Sequence, residues 1–386
     1  MDQKQGFRRS LGMKELVSLG VGGTIGSGIF VVPGIAAAIM GSASLFAWVI
    51  VACSATCVLL SLSWIVPLFG REGSFYSIFH FMFGEKIATL LILLYVFGSL
   101  AGIATIAAGI GQYLSFFGVS YLLGIEIAII ILFCGMNIIG ISISGMTENV
   151  LTILKIVPLV IISIVLIPFI DISNLVPFPP VAPIGLVSTI LIVYWPFTGF
   201  EISAIPVNEV KDTGSVSKAL LLVMVLVTAI YLALNISLIG SAGSSILAGS
   251  PAPIAAAVSL IYADSGGIIG IIGIIAMLSA INAYIIGSSR TLHSFGNRCS
   301  IPGICDLNTL GTPAVALVMI CVISAALLLV SNQFAVLAVI SVVATLLPYI
   351  AFCIMALVLL PGAPKKIIAL SGALSTLSIL TFFFLV

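Results

Sequence analysis

Apolar residues in this chain gather into runs of about twenty or more, parted by short polar joints, and not into the narrow stripes of a soluble helix. Runs of that length suit helices crossing a bilayer core of about 30 Å. Eleven spans are predicted, at 13–38, 42–69, 86–117, 121–140, 148–170, 184–207, 217–241, 266–289, 312–330, 333–360 and 366–386. The joints leave no room for a soluble domain. Residues 1–386 therefore read as a single transmembrane domain of the all-α, polytopic class.

Two of the runs are interrupted. Residues 20–34 read G-V-G-G-T-I-G-S-G-I-F-V-V-P-G, with six glycines and a proline inside the first span. Glycine costs roughly 1 kcal/mol and proline about 3 kcal/mol against alanine inside a helix. In hydrocarbon a broken backbone survives only where it lines a cavity or is buried in protein. The stretch predicts a break around Gly26-Ser27-Gly28, with the N–H groups beyond it suited to an anion such as a carboxylate. The other reading is a glycine-rich packing face for a neighbouring helix.

The sixth span carries Y-W-P-F-T-G-F-E from Tyr194 to Glu201, with Pro206 close behind. Pro196 removes a backbone donor and Gly199 relaxes the chain beyond it. Spans one and six lie five apart, and an odd offset places corresponding spans in opposite orientations. Interrupted segments at matching positions of two halves point to a transporter's binding site. The halves would be 13–170 and 184–360, with 366–386 as an extra helix.

Composition agrees: 61% of the chain is hydrophobic and 6% charged, with mean hydropathy +1.38. A net charge of +1 without a basic patch gives no reason to expect nucleic acid. The seven cysteines lie mostly in apolar runs and form no CxxC pair, so neither disulfides nor thiol chemistry is expected. His293, Cys299 and Cys305 share a joint but match no familiar zinc spacing, and no metal or other cofactor is expected. The first run is too interrupted for a cleavable signal peptide.

Charge position orients the chain. With the N-terminus in the cytoplasm, twelve of the thirteen Lys and Arg residues fall inside. They are Lys4, Arg8, Arg9, Lys14, Arg71, Lys86, Lys211, Lys218, Arg290, Arg298, Lys365 and Lys366. The outer joints carry acids such as Asp171 and Asp264, so the C-terminus is expected outside a cytoplasmic membrane. Outside, the prolines of 171–183 suit a stiff connector and 241–265 a lid-like helix over the mouth. Inside, Arg71 to Phe83 is expected to be an interfacial amphipathic segment.

The motifs, taken together and in order, resemble the amino acid–polyamine–organocation family. G-S-G-I-F at Gly26–Phe30 and W-P-F-T-G-F-E at Trp195–Glu201 are similar to its first- and sixth-span motifs. R-E-G-S-F-Y at Arg71–Tyr76, N-A-Y-I-I-G-S-S-R at Asn282–Arg290 and P-Y at Pro348–Tyr349 resemble elements after the second span and in the eighth and tenth. The resemblance implies the five-plus-five inverted-repeat (LeuT-like) fold with helices 1 and 6 broken. It also implies secondary amino acid transport, by symport, exchange or export. Most members have twelve spans against eleven here, which leaves the oligomeric state open.

The resemblance also assigns residues. The substrate carboxylate would meet N–H groups at Ser27 and Gly28, in the Thr24-Ile25-Gly26-Ser27-Gly28 segment. The amine would meet carbonyls at Thr24, Trp195 and Thr198. Trp195, beside Phe197, would shield the site from outside, with an interfacial tryptophan as the alternative. Tyr284 would face the substrate side chain, against ordinary packing. A zwitterion leaves water only when both charges find fixed partners. Apart from Glu201 no acid stands ready for a cationic side chain, so neutral amino acids are expected, with Ser203 as a further polar contributor.

Lys155 lies about eight residues into the fifth span, roughly 12 Å deep. A mid-span lysine costs at least about 2.5 kcal/mol on insertion scales. It either snorkels to the cytoplasmic side or takes the place where wider relatives bind sodium, paired with first-span carbonyls near Gly22. Desolvation disfavours a charged ammonium, so its proton could follow the cycle, and protons rather than sodium are the expected coupling ion. Glu201 is a second coupling candidate, against a structural hydrogen bond. Glu126 is expected at the outer headgroups, and Glu148 looks like helix-start chemistry. Neither His80 nor His293 has catalytic partners and no P-loop occurs, so an enzyme or an ATP-driven pump is not expected. A channel or receptor is a weaker alternative.

Overall fold

The computed structural model describes residues 12–72, 74–140, 145–176, 178, 180–205, 210–212 and 214–385, and the side chains of 71, 72 and 145–149 are not among those described. Lys4, Arg8, Arg9, Pro206, Gly73 and the side chains of Arg71 and Glu148 thus lie outside the described residues.

The first predicted span is two helices, α1 (Met13–Thr24) and α2 (Ser27–Met40). Spans two to five are α3 (Ser44–Ile65), α4 (Phe75–Phe116), α5 (Leu122–Ile138) and α6 (Gly145–Leu166). The sixth is α7 (Pro183–Phe197) continued by a 3-10 turn at Phe200–Ala204. Beyond it come α8 (Gly214–Ala242), two short helices α9 (Ser244–Ala248) and α10 (Pro253–Ile261), and α11 (Ser265–Arg298). α12 (Ala314–Val330), α13 (Phe334–Leu359) and α14 (Ala363–Leu385) complete the chain. All regular elements among the described residues are helical, as hydrocarbon requires of a spanning chain. Among the described residues eight segments are long and apolar enough to cross a membrane, the first of them containing α1 to α3, and α5 and α12 are shorter apolar helices.

Packing repeats with a shift of five spans. α1 packs on α8, and the second broken span, α7, packs on α3. α1 against α6 becomes α7 against α13; α4 against α13 becomes α11 against α6. α3 against α13 becomes α8 against α6, and α4 against α5 becomes α11 against α12. The two broken spans pack on each other, α2 on α7 and α1 on the Phe200–Ala204 turn. α14 stands outside this scheme, against α13 and α3.

The broken spans are the most enclosed. Every residue from Gly20 to Gly34 is buried, as is every residue from Leu191 to Ala204. α6 is two-faced by contrast: Thr152, Lys155, Leu159, Ile162 and Leu166 point inward at helical spacing. Ile153, Val157, Ile161 and Ile164 are exposed on the other face, where lipid would lie.

The segment expected to be interfacial has two faces, with His80 and Phe81 exposed on one of them. Phe75, Tyr76, Ile78 and Phe79 are buried, because their rings pack into α11 and α13. Phe75 and Phe79 meet Phe352 with centroids 5.1 and 4.7 Å apart, and Tyr76 meets Phe295 at 5.2 Å. Where one lid-like helix was expected there are two, α9 and α10, packed on α2, α8 and α11. Between them and α2 lies a cavity of about 380 Å³ lined by Val31, Ile35, Ala38, Gln112 and Pro251 among others.

Candidate functional site

The first break is short. α1 makes its last helical turn with Ile25 N–H donating to Val21 O at 2.8 Å. Ile25 is then extended (φ −83°, ψ 91°), Gly26 turns its N–H back to Thr24 O at 3.1 Å, and α2 begins at Ser27. The gap is therefore Ile25–Gly26. Ser27 and Gly28, predicted inside it, are the first two residues of α2, where helix N–H groups have no intrahelical partner. The second break follows Pro196: α7 ends at Phe197, Thr198 is extended, and Gly199 takes φ 93°.

The breaks touch. A Cβ on Gly28 would stand 2.6 Å from the Pro196 Cα, and one on Gly199 would stand 2.5 Å from Gly23 O. Only glycine permits the first approach, and glycine alone adopts that φ without strain at the second.

Each break strands carbonyls that a continuous helix would have paired, and their new donors define the site. Gly22 O loses the Gly26 N–H, and Lys155 Nζ donates to it at 3.1 Å. Lys155 is wholly buried (0% exposed), so it does not snorkel. One turn earlier on both helices Thr152 Oγ1 donates to Ser18 O at 3.3 Å, so α6 grips α1 twice. Thr24 O accepts from Gly26 N–H and from the Tyr231 hydroxyl at 2.9 Å. Trp195 O accepts from Thr198 N–H at 3.1 Å and Thr198 Oγ1 at 2.8 Å. In this conformation, then, two of the three carbonyls expected to receive an amine already hold two internal donors each. A carbonyl has two lone pairs, so an amine would have to displace one of them.

On the α4–α11 side the expected side chains converge. The Trp195 indole N–H donates to Ser27 Oγ at 3.3 Å, and its ring lies 5.9 Å from that of Tyr284. The Tyr284 hydroxyl pairs with Thr198 Oγ1 at 3.3 Å. Gly102 of α4 makes room for both rings: a Cβ there would fall 2.7 Å from Tyr284 and 3.1 Å from Trp195. Phe197 faces the other way, toward Trp48 and Tyr231, with centroids 6.1 and 5.2 Å away. Ser203 is also outside the Trp195–Tyr284 group, buried against Gly20.

Glu201 caps the second break. Its carboxylate accepts from Gly199 N–H at 3.1 Å, from the Tyr95 hydroxyl at 3.2 Å and from the Tyr349 hydroxyl at 2.8 Å. Sequence pattern alone misses Tyr95 and Tyr231, because a tyrosine in an apolar run passes for core. A signal exists nonetheless, since a hydroxyl buried in hydrocarbon needs a partner. Glu126, expected among headgroups, is 3% exposed and packed against Gly111, with Oε2 lacking a hydrogen-bond partner. Room for that carboxylate comes from the missing side chain of Gly111. Among the described residues no group of three or more His, Cys, Asp or Glu side chains gathers to hold a metal. His293 Nδ1 lies 3.0 Å from Ile304 O.

Two broken helices meeting inside a polytopic helical bundle define a membrane transporter of the broken-helix class. The chain matches the amino acid permease family over residues 11–386, and it belongs to that family. It is accordingly a permease and not an enzyme. It is similar to the branched-chain amino acid permease BcaP of Bacillus subtilis (strain 168), 23% identical over 78% of this chain and 70% of the relative. BcaP of Lactococcus lactis subsp. cremoris (strain MG1363) is 24% identical over 81% of this chain and 74% of its own length. The serine/threonine exchanger SteT of Bacillus subtilis (strain 168) is 23% identical over 86% and 78%.

Proposed function

We propose that this permease moves neutral amino acids across the cytoplasmic membrane by alternating access, coupled to protons and independent of sodium. The observation that carries the proposal is the meeting of the two breaks. Ser27 and Gly28 offer free N–H groups on one side, and Trp195, Thr198 and Tyr284 stand over them on the other. The carboxylate of a zwitterion sits at the α2 N-terminus, where the helix dipole favours it. Its amine replaces internal donors at Thr24, Trp195 and Thr198, and Trp195 closes the site. The relatives named for branched-chain amino acids and for serine and threonine support a neutral substrate. Residues 13–170 and 184–360 act as inverted repeats, supported by the five-span shift in packing.

For coupling, Lys155 supplies a resident ammonium at Gly22 O, where a bound cation would otherwise neutralise the stranded carbonyl. The protonated amine ties α6 to α1, and the neutral amine releases it. Glu201 joins the break to Tyr95 and Tyr349, so a change in its charge alters the hold of α4 and α13 on the second break.

The test is reconstitution in proteoliposomes with labelled amino acids under imposed proton or sodium gradients. Saturable uptake of a neutral amino acid, raised by an inward proton gradient and indifferent to sodium, is expected. Sodium-driven uptake would overturn the coupling. Transport seen only with preloaded vesicles would favour exchange, which the name of the serine/threonine relative also suggests.

A further inference from the structure

One buried carboxyl takes no part in the breaks or in their coupling groups. Glu126 stands on α5, roughly 6 Å along from its first residue, and Gly111 faces it from α4, roughly 8 Å before that helix ends. Gln112, the next residue of α4, lines the cavity beside α9. The charge pattern would turn this end of the bundle outward.

The surroundings of Glu126 offer a charge nothing. It is 3% exposed, and its Oε2 has no hydrogen-bond partner. α5 packs on α4, α11 and α12. From α4 the nearby titratable group is Tyr113, whose hydroxyl donates to Phe30 O at 2.9 Å. α11 carries Asp264 just before its first residue, exposed, while its Tyr284, Arg290, His293 and Arg298 lie in its other half. α12 carries Cys321, which sits against Cys134 two turns further along α5. On the approach to α5, Tyr121 is 92% exposed. Among the described residues no charge acts on the Glu126 carboxyl, only its burial. An ionised carboxylate buried without a donor costs several kcal/mol, and nothing in this packing offsets it. Packing alone gives no reason for an acid here, because an apolar side chain would fill the seam without that cost.

We infer that Glu126 is a proton-binding site of this permease, loaded from water at the cavity end. It rests on the proton-coupled reading above. With its proton the neutral carboxyl lets α4 and α5 close at Gly111. When the proton passes to water, the closed seam cannot hold the remaining charge, so α4 must shift there to admit water. The same turn of α4 carries Gln112 at the cavity and Tyr113 on the Phe30 carbonyl of α2. A shift of that turn reaches both the cavity and the half-helix that starts at the first break. Lys155 and Glu201 bear on the breaks directly; Glu126 bears on α2 through α4.

The test is Glu126→Gln, which keeps the shape of the side chain and fixes it neutral. Initial uptake of labelled leucine, or of serine where leucine is not taken up, is followed in proteoliposomes as outer pH is varied at constant inner pH. Over a span of outer pH that changes the wild-type rate about tenfold, the variant should change by less than about twofold. A variant that is slower throughout but keeps the wild-type profile has lost only packing, and that result overturns the site. Should Glu126→Gln not insert, the wild type is treated with dicyclohexylcarbodiimide, which attacks protonated carboxyls buried from water. The carboxyl O–H adds across one C=N bond and the acyl group shifts to nitrogen, leaving an N-acylurea on the side chain and releasing nothing. Mass spectrometry should find Glu126 modified at low pH and several-fold less as pH rises, with uptake lost in proportion. Absent or pH-independent modification overturns the site. A wild type whose uptake ignores outer pH overturns the coupling reading instead, while the carbodiimide result still judges Glu126.

Discussion

At the residue scale, chemistry here comes from a few polar side chains that repair backbone left unpaired by the breaks. Lys155 shows how large that effect must be. Burying an ammonium costs several kcal/mol unless it is paired, and in this chain its place on the inward stripe of α6 gives it the Gly22 carbonyl. Removing it deletes a buried charge but strands that carbonyl, a loss of about 1–3 kcal/mol at the hinge of α1. Lys155→Ala should therefore reduce uptake at least tenfold while the protein still inserts. The residual uptake should not respond to an imposed pH gradient. Gradient stimulation equal to that of wild type would remove Lys155 from coupling.

At the element scale, the breaks are fixed by glycine at two points of contact. Gly199 holds φ 93° with Gly23 O close by, and Gly28 lies flat against Pro196. A left-handed residue with a Cβ costs about 1–2 kcal/mol before any clash. Gly199→Ala and Gly28→Ala should each push the half-helices apart and abolish transport while leaving membrane abundance within about twofold. Gly124→Ala on α5 has open space around its Cβ and should leave transport unchanged, since alanine favours a helix by about 1 kcal/mol. Transport retained in Gly28→Ala would refute the close contact. These breaks are legible in the sequence because glycine and proline weaken the very helix that hydrocarbon demands of an apolar run. Lys155 is legible for a similar reason: a charge in hydrocarbon must be answered. The Tyr95, Tyr231 and Tyr349 donors are not, although the Pro348-Tyr349 pair stands out as a motif. Hydropathy counts a tyrosine ring and ignores where its hydroxyl points, and that depends on helices far apart in sequence. The inward packing of Phe75 to Phe79 is hidden likewise, because an aromatic run at a membrane joint reads the same whether it meets lipid or another helix.

At the scale of the whole molecule, the two sides of the bundle differ. On the α9–α10 side the cavity of about 380 Å³ reaches in beside α2. On the other side Tyr95, Glu201 and Tyr349 tie α4, the second break and α13 together, and Phe75, Phe79 and Phe352 pack in behind them. A carrier that alternates access must exchange this asymmetry for its opposite, so a probe in the cavity should sense the substrate without touching it. Gln112 lines the cavity from α4 and is partly exposed. Gln112→Cys, in a background with the seven native cysteines replaced by serine or alanine, should react with a membrane-impermeant maleimide added outside intact cells. Reaction from outside is the outcome expected from the charge pattern, by which the Lys- and Arg-bearing joints would lie in the cytoplasm and α9 and α10 opposite. Saturating neutral amino acid should slow that reaction several-fold as Trp195 closes and the outer cover settles. Labelling only after the cells are opened would reverse the orientation. A labelling rate indifferent to a substrate that the same variant transports would mean that the outer cavity takes no part in the cycle.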